Sequence, residues 1–124
     1  VRAPPVVHAY FAAAKALDAG ALTACFAPDG EVVDPAAPGP VRGIQALQVF
    51  YGGIAGSFSS LDIHADGVFS AGRFTAVHFK GTARGPSGKS APFEGLDVFE
   101  MDAEGRILRL TGYWDPAALL AQIG

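Results

Sequence analysis

The chain has 124 residues, half of them apolar, and nine Lys and Arg against twelve Asp and Glu give a formal net charge of -3 at pH 7. That is enough apolar side chain for one buried core, so a single domain over residues 1–124 is expected. The basic residues are scattered rather than gathered in a stripe for nucleic acid or anionic lipid, no apolar run nears the roughly 20 residues of a membrane span, and Val1-Arg2-Ala3-Pro4-Pro5 is no apolar leader; a cytoplasmic protein with no membrane insertion is expected.

After the two prolines, Val6 to about Leu17 has helical periodicity, and Asp18 is placed to cap a second short helix through Phe26. Pro28-Asp29-Gly30 reads as a turn, Glu31 to Asp34 as a short strand and Pro35 to Pro40 as a loop. Gly43 to about Tyr51 is a third helix, with Ile44, Leu47 and Phe50 on one side and Gly52-Gly53 ending or fraying it. Four strands follow: Leu61 to Phe69, Phe74 to Ala83, Pro92 to Met101 and Ile107 to Trp114, joined by hairpin turns. Asp115-Pro116 opens a last short helix. The sole cysteine, Cys25, sits beside Leu22 and Phe26, where a small buried thiol is the expectation.

Helices followed by antiparallel strands predict an α+β domain, a cone-shaped curved antiparallel or mixed sheet wrapped over three helices of the N-terminal half. The strands carry apolar residues on both faces, Leu96 and Val98 opposite Phe93 and Phe99, which predicts that a second copy covers the outer face in a homodimer.

Against this frame, three polar side chains fall in phase with apolar neighbours. Strand alternation puts Asp97 on the face of Phe93, Gly95, Phe99 and Met101; Asp34 shares the face of Val32; and Tyr10 lies in the helical stripe of Val7, Phe11, Ala14 and Leu17. An ionised carboxylate on an apolar face is costly, and no Lys or Arg shares the Asp97 face of its segment, so Asp97 should keep its proton. Two inward carboxyls and an inward phenol suggest a site. Phe11, Phe50, Phe69, Phe79, Phe93, Phe99, Met101 and Trp114 offer the apolar surface for a greasy cleft around it.

The order of elements, Tyr10 in the first helix, the phrase from Phe26 to Pro35 containing Val32-Val33-Asp34-Pro35, and the stretch from Asp97 through Glu104-Gly105-Arg106-Ile107 to Gly112-Tyr113-Trp114 together resemble the bacterial ketosteroid isomerases, cone-fold proteins of the nuclear-transport-factor-two-like superfamily. The resemblance spans nearly the whole chain. It implies that Tyr10 and Asp97 donate hydrogen bonds to a substrate ketone, that Asp34 shuttles the proton, that Tyr51 braces Tyr10 and that Trp114 lies beside the base. Phe26 departs from the family where some members carry a further tyrosine, and the segment Pro86 to Ser90 aligns only loosely.

The implied chemistry moves a double bond into conjugation with a ketone. A proton leaves one carbon and returns to another through an enolate, so one mobile carboxylate base and donors aimed at oxygen suffice. The implied partner is a small apolar ketone such as a 3-oxo-Δ5 steroid. His8, His64 and His78 lack metal-ligand spacing and no glycine-rich nucleotide motif is present, so no cofactor is expected. Other readings of the same pocket are a polyketide-cyclase-like enzyme or a non-catalytic module for apolar ligands. An epoxide hydrolase of this fold would need arginine two residues before the strand aspartate, where this chain has Gly95.

Overall fold

The computed structural model describes residues 3–124. Helix α1 runs Pro5–Lys15 with proline in its first turn, where no intrahelical hydrogen bond is lost, and buries Val7, Phe11, Ala13 and Ala14. Leu17 then takes a left-handed backbone (φ 53°), and the Asp18 carboxylate accepts from the Ala21 N–H at 2.9 Å to cap α2, Ala19–Ala24. The second helix is thus shorter than its sequence suggests: Cys25 is its C-cap, and Phe26 already belongs to a strand.

Six strands follow as β1 (Phe26–Val33), β2 (Val41–Arg42), β3 (Ser60–Ala71), β4 (Phe74–Arg84), β5 (Ser90–Met101) and β6 (Ile107–Tyr113), with α3 (Ile44–Gly56) after β2 and α4 (Pro116–Ile123) at the end. They form one sheet in the order β2-β1-β6-β5-β4-β3, parallel at β1/β6 and antiparallel elsewhere. Mixed α+β architecture with a curved, open sheet is therefore as expected.

Two boundaries differ from expectation for physical reasons. Pro28-Asp29-Gly30 is an excursion within β1 rather than a turn before it: Phe26 pairs with Ile107, and Glu31 resumes pairing with Arg109. Gly30 is required there, because a Cβ would stand 2.9 Å from the Ala27 carbonyl oxygen and 3.0 Å from that of Ile107. Helix α3 also runs straight through Gly52-Gly53 to Gly56. Both glycines lie on its exposed side, and the burial of Leu47 and Tyr51 on the other side, with Ile54 packed on the core, outweighs their poor helix propensity of about 1 kcal/mol each.

The sheet's inner face carries the core in rows that follow the register. Val32, Leu110, Phe99 and Thr75 form one row across β1, β6, β5 and β4; Gly112, Asp97 and Val77 form the next. Phe69 is not in this face. Asp66 is an extra residue between the pairs Ala65/Phe79 and Gly67/His78, so the alternation of β3 flips there and Phe69 points outward, 73% exposed. Phe69 belongs to an outer face shared with Phe74, Leu96 and Tyr113, all exposed. No helix among the described residues is long and apolar enough to cross a membrane.

Candidate active site

A cavity opens between the inner face of the sheet and the helices, lined at its polar part by Tyr10, Asp34, Tyr51, Asp97 and Trp114. Each side chain arrives by a different local route. Tyr10 comes from α1, one residue before buried Phe11; Tyr51 comes from α3 and places its hydroxyl 2.9 Å from that of Tyr10. The Tyr10 ring is held edge-on by Phe99 and Phe11, at centroid distances of 5.3 and 5.6 Å. Burial pushes both phenols well above the ordinary tyrosine range, so both are O–H donors at neutral pH.

Asp34 follows the last residue of β1. Its Oδ1 accepts from the Ala36 N–H at 2.8 Å, a local turn that fixes the side chain before Pro35. The indole N–H of Trp114, just past β6, lies 3.1 Å from each carboxylate oxygen. Asp34 is half-buried, whereas Asp97, in the middle of β5, is only 8% exposed. Burial, with the Asp34 charge nearby adding to it, pushes the Asp97 carboxyl up to about 8. Among the described residues no group hydrogen-bonds that carboxyl, so its proton is free for a ligand.

Two glycines shape this arrangement: Gly112, to which sequence reasoning assigned no role, and Gly95. Gly112 pairs with Asp97 across β5/β6, and a Cβ on it would sit 2.8 Å from Asp34 Oδ2 and 3.3 Å from Asp97 Oδ1. The missing side chain is what lets the two carboxyls face one space. Gly95 is as tightly constrained: a Cβ there would meet the Tyr113 carbonyl, Phe79 Cζ at 2.7 Å and Trp114 Cβ at 2.9 Å. An arginine at that position has no room.

Of the residues expected to line an apolar cleft, Phe50, Phe79, Phe93 and Trp114 do so. Phe11, Phe99 and Met101 do not: they are buried core, with Phe11 and Phe99 beneath the Tyr10 ring and Met101 past the cavity beside Ile107. The remaining wall comes from residues not singled out beforehand, among them Ile54, Phe58, Leu61, Ile63 and Leu119. Their apolar periodicity was visible; which of them faced a void depended on how the helices pack over the sheet.

Residues 7–110 match the SnoaL-like domain. The chain belongs to that family. The steroid Δ-isomerase of Nocardioides simplex is 31% identical over 115 residues, a stretch covering 88% of this chain and 91% of that enzyme. The relationship to steroid isomerases read from the motifs is thereby borne out. Two solved structures show the same fold at lower identity. A protein of ketosteroid isomerase-like fold from Catenulispora acidiphila superposes with a TM-score of 0.85 at 20% identity, over 98% of this chain and 93% of that one. An NTF2-like protein from Burkholderia pseudomallei gives 0.82 at 18% identity, over 95% and 94%.

Proposed function

We propose that the protein is a cofactor-independent isomerase that converts a β,γ-unsaturated ketone, such as a 3-oxo-Δ5 steroid or a smaller ketone of the same chemistry, into its conjugated isomer. The observation that carries this reading is the convergence of a solvent-reachable carboxylate, Asp34, with two proton donors, half-buried Tyr10 and buried Asp97, on one apolar cavity. The family relationship to a steroid Δ-isomerase points the same way.

In this mechanism the ketone oxygen lies against Tyr10 and Asp97. Asp34 takes the proton from the carbon between the carbonyl and the double bond, and the negative charge moves onto oxygen. The Tyr10 and Tyr51 hydroxyls share a hydrogen bond of 2.9 Å, and with Tyr51 as its donor the Tyr10 proton is directed at the substrate. The protonated Asp97 supplies the second donor. Trp114 steadies the Asp34 carboxylate, which then returns the proton to the far carbon of the former double bond. Donors already aimed at the developing oxyanion are each worth about 3 kcal/mol, or roughly a hundredfold in rate.

The same reading takes the working unit as a homodimer. Phe69, Phe74, Leu96 and Tyr113 leave apolar surface on the outer face of the sheet, and a second copy would remove it from water. Light scattering should give twice the chain mass, and Leu96→Lys should return it to one.

The decisive experiment follows the conjugated-enone absorbance of a Δ5-3-oxo steroid and of 3-cyclohexenone after adding protein, with Asp34→Asn as control. Turnover by the wild type alone assigns reaction and base together. Binding of a phenolic enolate mimic without turnover of either ketone would transfer the site to a cyclase or a binding role.

A further inference from the structure

The walls of the cavity are not equally fixed by the sheet. Along the inner face of β5, Asp97, Gly95, Phe93 and Ala91 lead toward the β4–β5 hairpin at Gly85 to Lys89, a run of about 20 Å at strand spacing. Helix α4 lies across this end and packs on β5. It starts two residues after Trp114, where the Asp115 carboxylate caps it by accepting from the Ala118 N–H at 3.0 Å. At its other end Ser87 Oγ donates to the Ile123 carbonyl at 3.3 Å, and the Gly85 backbone lies so close to Ile123 that no Cβ fits between them. Ile123 is 1% exposed and Leu119 2%. Between those two anchors Leu119 points into the cavity.

With Leu119 in place the cavity measures about 90 Å³. Small-molecule sites commonly span roughly 300–1,000 Å³. A space this small beside Tyr10 and Asp97, with Leu119 in its wall, suits one ring or two fused rings better than a four-ring system.

We propose that Leu119 is the specificity-determining wall of this site, setting how far a ring system extends from Tyr10 and Asp97, and that the preferred substrate class is a compact one- or two-ring β,γ-unsaturated ketone. The substrate half of this statement rests on the isomerase reading; the wall itself does not. Because α4 is pinned at both ends, the side chain at 119 is held rather than swinging, so its size is read directly as pocket length.

The test uses phenol, 2-naphthol and a four-ring steroidal phenol as oxyanion mimics of rising length, titrated into wild type, Leu119→Ala and Leu119→Val. Wild type should bind 2-naphthol more tightly than the steroidal phenol. Leu119→Ala should raise affinity for the steroidal phenol relative to phenol by tenfold or more, and Leu119→Val by about two- to threefold in the same direction, which keeps the question answerable if the alanine variant does not fold. Ratios unchanged in both folded variants would overturn the proposal, as would wild type binding the steroidal phenol best. Run beside it, kcat/KM on 3-cyclohexenone and a Δ5-3-oxo steroid separates the two readings. A shifted phenol series without turnover of either ketone keeps the wall and removes the isomerase; turnover with unshifted ratios does the reverse.

Discussion

Trp114 and Asp34 stand 80 positions apart in sequence, and the indole N–H of one bridges both carboxylate oxygens of the other at 3.1 Å. A donor shared between two oxygens fixes the plane of the carboxylate without committing either lone pair that faces the cavity. Trp114→Phe keeps the packing and removes the donor. We expect kcat to fall about tenfold with KM nearly unchanged, because a charge-assisted hydrogen bond of about 1.5–3 kcal/mol is lost from the positioning of the base. Steady-state kinetics on 3-cyclohexenone checks it.

Asp97 ties both activity and stability to pH, and both fall as pH rises. Its carboxyl is held at about 8, so kcat/KM should decline as pH rises through that value and the second oxyanion donor ionises. For stability, the folded chain keeps a proton that the unfolded chain releases near 4. The group's contribution is therefore fully present below about pH 4 and is lost progressively as pH rises toward 8, at about 1.4 kcal/mol for each pH unit over that span. Asp97→Asn carries no charge at either pH. Urea midpoints should show it gaining on wild type by several kcal/mol between pH 5 and pH 8 while its activity is low throughout.

Gly112→Ala tests the shared space between the carboxyls. The added methyl comes within 2.8 Å of Asp34 Oδ2, so the carboxylate is pushed aside against its hydrogen bonds from Trp114 and Ala36 while the backbone stays in place. A base moved by about 1 Å loses roughly a hundredfold in rate. The thermal midpoint should change by only a few degrees, and kcat should carry the whole effect.

Gly52 and Gly53 offer the reverse experiment. Both are exposed in the middle of α3, and a Cβ at either meets nothing within 4 Å. Alanine at each should stabilise the fold by about 0.5–1 kcal/mol and raise Tm by about 2–4 °C, read by thermal unfolding.

The polar core of the site was legible because it breaks a rule that sequence shows directly. Asp97 sits at the correct parity among Phe93, Phe99 and Met101, and Tyr10 in the stripe of Val7 and Ala14, so their inward direction needed only the periods of strand and helix. The same parity argument failed for Phe69, because one inserted residue at Asp66 reverses every side chain beyond it and nothing in the local pattern announces the bulge. Phe11 and Phe99 were read as lining the cleft when they support Tyr10 from beneath; distinguishing floor from wall requires knowing where the void is. Leu119 and Gly112 were silent for a related reason. A leucine in an apolar helix and a glycine in a strand look alike wherever they occur, and only the packing of α4 and the closeness of β6 to Asp34 give them meaning.

The parallel pairing of β1 with β6 joins Phe26 to Ile107 and Val33 to Thr111, the most distant strand pairing in the sheet. Contacts so distant are made late, after the local hairpins β3–β4 and β4–β5 have zipped. Asp34 at the end of β1 and Trp114 just past β6 are therefore expected to meet late in folding. β6 also follows β1 to β5 in the chain, so before it is made five strands of the sheet exist while Asp34 lacks its Trp114 partner. On the isomerase reading, activity therefore reports completion of the fold: it waits until Asp34 and Trp114, 80 positions apart, have found each other.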